Sequence, residues 1–94
     1  MDTLLTDVKA SLGITIDDEM INKSIELKIN AVKTYLRNAG ADIEEDKELT
    51  NDIIGCITIG VNDLLNNKAG DTKFSPAFNI LAMQICRGWY YAIY

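Results

Sequence analysis

The sequence predicts an all-α fold, a small bundle of about four helices at roughly residues 2–12, 17–39, 47–66 and 76–92. Apolar residues recur every three or four positions along most of the chain, which is typical of helices with one buried face. Capping residues and isolated glycines stand between these segments, where helices would begin or end. The length of 94 residues is that of one domain, so we expect residues 1–94 to form a single helical domain.

The first two helices are predicted by their apolar stripes and end signals. The first stripe consists of Leu4, Leu5, Val8 and Leu12. The second consists of Met20, Ile21, Ile25, Ile29 or Lys28, Val32, Tyr35 and Leu36. Gly13 stands where a left-handed residue would end the first helix, and Thr15 or Asp17 can cap the second. Acids follow that cap, and Lys33 and Arg37 lie near the end, as the helix dipole favours.

The third segment has two interpretations. The run from Ile53 to Val61 is rich in β-branched residues, which by propensity suits a buried strand. A helical register continues on both sides of Gly55 and Gly60, however, and a lone strand would lack a partner in a sheet. We therefore expect a helix in which the two glycines permit close approach of another backbone, and we keep the strand as the alternative.

The fourth helix is predicted to begin at Pro76, because proline suits the first helical position and Ser75 can cap it. It is expected to run to about residue 92, with Gly88 as the position where it would break. From residue 77 to residue 94 the chain is apolar but is interrupted by polar side chains, and it is shorter than the ~20 residues of a membrane span. We expect this helix to be covered by protein and not by lipid.

Composition excludes several kinds of chemistry. The chain contains no histidine, which rules out histidine triads, histidine metal sites and histidine pH switches. Its six glycines form no phosphate-binding loop. The first residues lack a basic and apolar leader, so Cys56 and Cys86 are expected to be reduced, buried thiols without a catalytic role. We expect neither an enzyme nor a cofactor or metal site.

The net charge of −5 is concentrated between residues 42 and 52, which we call the acidic stretch. Its single base is Lys47, and its acids are Asp42, Glu44, Glu45, Asp46, Glu48 and Asp52. Three interpretations are open: a solvated loop and helix N-terminus, a surface that repels nucleic acid, or a metal or catalytic site. The spacing lacks the pattern of an EF-hand loop. No segment concentrates lysine and arginine, so we expect no sequence-specific nucleic-acid binding.

The C-terminal part is aromatic and nearly uncharged. Six of the seven aromatic residues lie between residues 74 and 94, where Arg87 is the only charge. This is more apolar surface than a small core is expected to accept, and such a surplus indicates a protein partner. Aromatic residues and arginine are enriched at interface hot spots. The candidate interface residues are Phe74, Arg87, Trp89, Tyr90, Tyr91 and Tyr94. The alternative is that this segment is the central core helix.

Several short motifs resemble those of one known family. The first is DVKASLGIT at residues 7–15, followed by Asp17, Asp18 and Glu19. The others are Tyr35-Leu36, at the end of a long amphipathic helix, and FSPAF at residues 74–78. In this arrangement, which spans nearly the whole chain, the sequence is similar to the head-tail connector (adaptor) proteins of tailed bacteriophages.

The resemblance implies a non-enzymatic, all-α protein that assembles with copies of itself into a ring beneath the portal protein. Such a ring extends the DNA tunnel and binds the next neck or tail protein. It implies a place in the virion neck after assembly and in the host cytoplasm before it. We expect the acidic stretch to face the tunnel or a neighbouring subunit. The alternative is a small helical regulator that binds a host protein through its aromatic C-terminal segment.

Overall fold

The computed structural model describes residues 3–41, 43, 49–67 and 73–86. It contains four helices: α1 (Thr3–Ser11), α2 (Glu19–Asn38), α3 (Asn51–Asn66) and α4 (Pro76–Ile85). The described ranges hold no strand, only an isolated antiparallel bridge between Ala41 and Cys86. The predicted all-α bundle is confirmed.

The connection between α1 and α2 is fixed by a left-handed glycine and a lysine. Gly13 has a φ of +74°, and the amide of Ile14 returns to the Lys9 carbonyl at 2.9 Å. The Lys9 ammonium then donates to the Ile16 carbonyl at 2.8 Å and to the Asn22 side chain at 2.5 Å. The predicted end of α1 at Gly13 is therefore confirmed, and a charged side chain holds the loop against the start of α2.

Asp18 caps α2, so the prediction of Thr15 or Asp17 was wrong. The Asp18 carboxylate accepts from the amides of Met20 and Ile21 at 2.9 and 3.1 Å, and its backbone is extended. The Asp17 carboxylate instead accepts from the side-chain amide of Asn22 at 2.9 Å. Asp18 therefore caps the backbone of α2, whereas Asp17 bonds a side chain, and α2 begins at Glu19.

The segment from Ile53 to Val61 is helical, and the strand alternative was wrong. α3 begins at Asn51 and not near residue 47, because Thr50 has an extended backbone at φ −74° and ψ 160°. A Cβ atom placed on Gly60 would lie 2.7 Å from Phe78 Cε1 and 3.0 Å from both methyl carbons of Val32, so Gly60 is crowded by side chains and not, as predicted, by another backbone. The prediction was also wrong for Gly55, which is exposed and has no such neighbour within 4 Å.

α4 begins as predicted and ends earlier. Pro76 is its first residue, and the Ser75 hydroxyl accepts from the Phe78 amide at 3.3 Å. The helix ends at Ile85, because Cys86 takes an extended backbone and bridges to Ala41. The predicted extension of this helix to about residue 92 was therefore wrong. Gly88 and the other residues from 87 to 94 lie outside the described part of the chain.

α3 is the central helix, since it packs against α1, α2 and α4. The described residues bury no polar or charged side chain. The core consists of Leu4, Leu5, Val8, Ile25, Ile29, Val32, Leu36, Ala41, Ile43, Cys56, Ile57, Val61, Phe78, Ala82 and Cys86. Within the described ranges, the search for membrane-spanning helices found none of sufficient length and hydropathy.

Candidate assembly surfaces

An aromatic cluster joins the C-terminal half of α2 to the start of α4. The rings of Phe74 and Phe78 stack with centroids 4.1 Å apart. The ring of Tyr35 lies tilted against both, at 5.0 and 5.8 Å. Phe78 is fully buried and Phe74 is half-buried, whereas Tyr35 remains 46% exposed. The cluster therefore runs from the core to the surface, and its outer member borders a groove.

The groove lies between α2 and α4 and has a volume of about 180 Å³. We call it the α2–α4 groove, and its lining residues are Tyr35, Ala39, Asn79, Ala82, Met83 and Cys86. Pockets for drug-sized ligands usually measure about 300–1,000 Å³. The α2–α4 groove is smaller than that and mostly apolar, so its size suits one large side chain better than a small molecule.

The base of the groove is the C-terminal end of α2. Gly40 has a φ of +110°, which lets the Ala41 amide turn back to the Leu36 carbonyl at 2.9 Å. The same carbonyl accepts a weak hydrogen bond from the Cys86 thiol, with sulfur and oxygen 3.8 Å apart. A helix end that would leave carbonyls unpaired is thus closed by the two segments that bridge beside it.

Both cysteines are buried free thiols, as predicted. Burial, and to a lesser extent the charge that Cys86 would carry, raises the pKa of Cys56 to about 12. Burial also raises the pKa of Cys86, although a hydrogen bond with the backbone of Ala41 opposes that shift. A thiol with a raised pKa remains protonated and is a poor nucleophile. The structure therefore confirms that these thiols pack in the core.

The outer side of α2 carries apolar side chains that do not contact the core. Met20 is 82% exposed and Leu27 is 62% exposed. They share a helix face with exposed Ala31, because seven and eleven residues are close to whole numbers of turns. We call these three residues the outer α2 stripe. The sequence prediction missed Leu27, although an apolar residue out of step with the core stripe was the available signal.

The predicted core stripe of α2 was partly wrong. Its interior members are buried, namely Ile25, Ile29, Val32 and Leu36. Three other residues assigned to it are exposed: Met20, Ile21 and Tyr35. α1 and α3 cover only one side of α2. The apolar residues predicted from three-to-four spacing span a wider part of the helix surface than this covered side, so some of them are exposed.

α4 also presents exposed apolar side chains, Ile80 at 57% and Met83 at 41%. We call these two residues the α4 patch. Met83 lines the α2–α4 groove, so the patch continues from the groove on to the surface of the helix. The alternative interpretation of the C-terminal segment as the central core helix would bury Met83, and the exposure of this side chain contradicts that interpretation here.

Of the twelve residues predicted to form functional surfaces, the structure describes two. Phe74 belongs to the aromatic cluster, and Asp52 lies exposed in the first turn of α3. The other interface candidates lie outside the described residues: Arg87, Trp89, Tyr90, Tyr91 and Tyr94. The same holds for the other acids, Asp42, Glu44, Glu45, Asp46 and Glu48. Their assigned roles remain predictions.

One residue of the acidic stretch is nevertheless described and is held by the folded subunit. Ile43, which stands among its acids, is only 3% exposed and belongs to the core. The side chain of Arg37 donates from Nε to the Ile43 carbonyl at 3.0 Å. The beginning of the stretch is therefore held against the end of α2. Within the described ranges, no three cysteine or acidic side chains come together as metal ligands.

Comparison with known families decides the relationship of this chain. A family model described as phage connector protein matches residues 4–73. The chain belongs to the phage connector protein family. Connector proteins of this family are structural proteins and are not typically enzymes. Membership confirms the resemblance seen in the sequence and indicates a structural protein of the phage neck, which contacts other capsid or neck proteins.

The family match covers α1, α2 and α3 of this connector and ends before α4 begins at Pro76. One wall of the α2–α4 groove and the whole α4 patch therefore lie beyond the matched part. Comparisons with curated proteins and with solved structures gave no match.

Proposed function

We propose that the protein is an adaptor subunit that assembles with copies of itself into a ring beneath the portal. The ring extends the DNA tunnel and binds the next neck or tail protein. In this proposal the 94 residues act as one domain, found in the host cytoplasm before assembly and in the virion neck afterwards. Family membership supports the proposal, and one structural observation carries it further: among the described residues, α2 and α4 each carry exposed apolar side chains.

A closed ring of identical subunits needs two different surfaces on each subunit, because every copy contacts its two neighbours in a head-to-tail manner. The outer α2 stripe and the α4 patch supply such a pair. They lie on different helices, α2 and α4. Exposed apolar surface of this kind is typical of protein interfaces. We assign one surface to each neighbour.

The ring can be tested with one defective surface at a time. We expect Leu27→Lys and Ile80→Lys each to abolish rings, because a lysine ammonium would be buried unpaired in a subunit contact. In a head-to-tail ring, a mixture of the two variants still has one intact pair of surfaces. The mixture should therefore form heterodimers that cannot grow. Native mass spectrometry and light scattering across a range of concentrations, with and without portal protein, would measure these species.

The matched controls are Asn30→Lys and Asn62→Lys, which add the same charge at exposed positions outside both surfaces. Both controls should form rings like the unchanged protein. An unchanged protein that is monomeric at all concentrations and never binds portal particles would refute the ring. Rings that persist in both Leu27→Lys and Ile80→Lys would refute our choice of surfaces but not the proposal that the protein forms a ring.

We further propose that the acidic stretch from residue 42 to residue 52 faces the tunnel or a neighbouring subunit. Carboxylates on a tunnel wall would repel DNA phosphates, so that the duplex slides and does not stick. The Arg37 and Ile43 contact supports this assignment, since it fixes one end of the stretch on the folded subunit. The exposed carboxylate of Asp52 lies at the other end.

Neutralising part of the stretch tests its effect on DNA. We expect rings of the triple variant E44Q/E45Q/E48Q to be retained on immobilised duplex DNA at low salt and released as salt rises. The control D7N/E19Q/E26Q removes the same number of charges from exposed positions on α1 and α2. It should pass through the column like the unchanged protein. Equal retention of both variants would show that only total charge matters and would contradict a tunnel-facing stretch.

The remaining candidates, Phe74, Arg87, Trp89, Tyr90, Tyr91 and Tyr94, are proposed to contact protein partners. Phe74 is half-buried, so only its exposed edge is available to a partner. Pull-down of the portal and of the next neck or tail protein with alanine variants at positions 90, 91 and 94 would identify which partner each aromatic residue binds. Unchanged recovery of both partners would contradict the proposal.

A further inference from the structure

We infer that the start of α2 inserts into the α2–α4 groove of a neighbouring copy, with the Met20 side chain filling the groove. The inference rests on the proposed ring and goes beyond it, because it names the side chain and the cavity through which one subunit contacts the next. Three observations carry it: the size and lining of the groove, the exposure and fixed position of Met20, and the opposite charges beside the two surfaces.

The groove has the volume and the lining of a site for one flexible apolar side chain. Its volume of about 180 Å³ lies below the range of small-molecule sites. Methionine fills irregular apolar cavities because its unbranched side chain adopts many shapes, and its sulfur makes favourable contacts with aromatic rings. The ring of Tyr35, which is 46% exposed, lines the groove and can supply such a contact. A methionine from another copy is therefore a suitable occupant.

Met20 is the exposed apolar side chain best placed to enter a cavity. It is 82% exposed, more than any other large apolar side chain that the structure describes, and it is the second residue of α2. Ile16, four residues earlier, is also exposed and adds to the apolar surface at this end. Leu27 is exposed as well, but it lies in the middle of the helix, where the turns on both sides would meet the rim of a groove first.

Met20 and the groove belong to opposite ends of α2. Met20 is 19 residues from Ala39, which lines the groove, and this separation corresponds to roughly 28 Å along a helix. No side chain spans such a distance, so the groove can receive Met20 only from another copy. A contact in which the start of one α2 meets the end of the next is head-to-tail, which is the kind that closes a ring.

The start of α2 is held in place before any contact forms. The Asp18 carboxylate accepts from the amides of Met20 and Ile21 at 2.9 and 3.1 Å. The Lys9 ammonium donates to the Ile16 carbonyl at 2.8 Å and so fixes the loop that leads into the helix. An interface formed by ordered segments loses less conformational entropy on binding. The main entropic cost of this contact is therefore the ordering of the Met20 side chain itself.

The end of the subunit that carries Met20 is acidic. Three exposed acids precede Met20 directly: Asp17, Asp18 and Glu19. Asp18 caps the helix and Asp17 accepts from the side chain of Asn22. Glu19 is therefore the acid that can be substituted without removing either bond.

The flank of α2 that leads to the groove is basic. Lys28 lies seven residues before Tyr35, close to two whole turns, so these residues share one flank of the helix. Lys73 precedes Phe74, whose ring lies 5.0 Å from the ring of Tyr35. The carboxylate of Asp63 accepts from the amide just before α4 at 2.9 Å, and α4 itself carries no charge. The acids of an incoming α2 would meet lysines, and such complementarity speeds and orients association.

Disulfide trapping tests the contact directly. Met20→Cys and Met83→Cys each place a thiol at an exposed position, so both variants should fold like the unchanged protein, whose own cysteines are buried. A mixture of the two variants, treated with oxidised glutathione, should give heterodimers in which residue 20 of one chain is joined to residue 83 of the other. Mass spectrometry of the peptides would identify the joined residues. The matched control, Asn62→Cys mixed with Met83→Cys, should give no such heterodimer.

Charge exchange tests the orientation of the contact. Glu19→Lys and Lys28→Glu should each weaken association several-fold, because each places like charges opposite one another. A chain that carries both substitutions has opposite charges again and should recover most of the loss. Glu26→Lys and Lys33→Glu make the same changes on the side of α2 away from Tyr35 and should have little effect. Analytical ultracentrifugation at low and high salt would measure association, and the differences should shrink as salt rises.

The outcomes separate this inference from the proposed ring. Rings in which residue 20 does not cross-link to residue 83, or joins another position, would overturn the inference and leave the ring unaffected. Equal effects of the charge changes on both sides of α2, without recovery in the double variant, would also overturn it. Chains that form neither rings nor cross-links would refute both proposals. Cross-linked dimers without rings would support the contact and refute only the closed ring.

Discussion

Substituting alanine at Gly60 tests how closely α2, α3 and α4 pack. The added Cβ atom would meet the Phe78 ring at 2.7 Å and both Val32 methyl carbons at 3.0 Å. Phe78 and Val32 are fully buried, so neither can move aside into solvent. Overpacking of a core costs about 1–3 kcal/mol, and contacts on two sides place this case in the upper half of that range.

Alanine also stabilises a helix relative to glycine, by roughly 0.5–1 kcal/mol. For Gly60→Ala this gain offsets part of the packing cost, which leaves a net loss of about 1–2 kcal/mol. Gly55→Ala is the matched control, because Gly55 lies in the same helix and an added Cβ would meet nothing within 4 Å. We expect the control to be more stable than the unchanged protein by roughly 0.5–1 kcal/mol.

The difference between the two variants cancels the helix propensity and isolates the packing cost, about 2–3 kcal/mol. Urea denaturation followed by far-UV circular dichroism measures this difference. In thermal unfolding, Gly60→Ala should lower Tm by roughly 5–15 °C, since 1 kcal/mol corresponds to about 4–8 °C in a domain of this size. If Gly60→Ala proved as stable as Gly55→Ala, the close approach of α2 and α4 to α3 would be wrong.

Other predictions concern a thiol, a loop and a helix cap. Stability should fall as the pH rises above about 9, because the Cys56 thiol ionises from its ordinary pKa of 9.0 in the unfolded chain but only near 12 in the folded protein. Denaturation at several pH values should show a smaller fall in Cys56→Ala, and an equal fall would contradict the burial of this thiol. Lys9→Met removes the bonds to Ile16 and Asn22 and should lower the free energy of unfolding, measured by urea denaturation, by about 1–2 kcal/mol. An unchanged free energy of unfolding would mean that these bonds are no stronger than the bonds the same groups make with water. Ser75→Ala should cost about 1 kcal/mol by the same measurement, whereas Ser75→Asp, which can still cap, should not.

Local chemistry made much of the fold predictable. Pro76 and Ser75 mark the start of α4 because proline needs no donor there and serine supplies an acceptor. Gly13 marks the end of α1 because the chain reverses there through a positive φ. These signals act within one turn of the helix, so they can be read from neighbouring residues alone.

Features that depend on distant contacts were harder to predict. The end of α4 at Ile85 follows from the pairing of Cys86 with Ala41, a partner 45 positions away that no local pattern indicates. The same limit explains the two glycines of α3. Gly55 and Gly60 look alike in sequence, and only the positions of Val32 and Phe78 decide that one is crowded and the other free.

The candidate surfaces were likewise predictable where they depend on local spacing and not where they depend on distant contacts. Spacing identified the buried side of α2, but the width of that side depends on which helices cover it, so Met20 and Tyr35 were assigned to the core although they are exposed. Leu27 could have been noticed as an apolar residue on the polar side. The groove required the structure, since it arises where α2 ends beside α4.

The paired residues Ala41 and Cys86 connect the two unusual parts of this chain mechanically. The acidic stretch begins directly after Ala41, and the aromatic segment begins directly after Cys86. Both therefore begin beside one point, where the Leu36 carbonyl accepts from the Ala41 amide and from the Cys86 thiol. A pull on the aromatic segment by a protein partner would load the same bonds that hold the acidic stretch. Force applied at a protein contact would thus reach the acidic stretch through the Leu36 carbonyl at the end of α2.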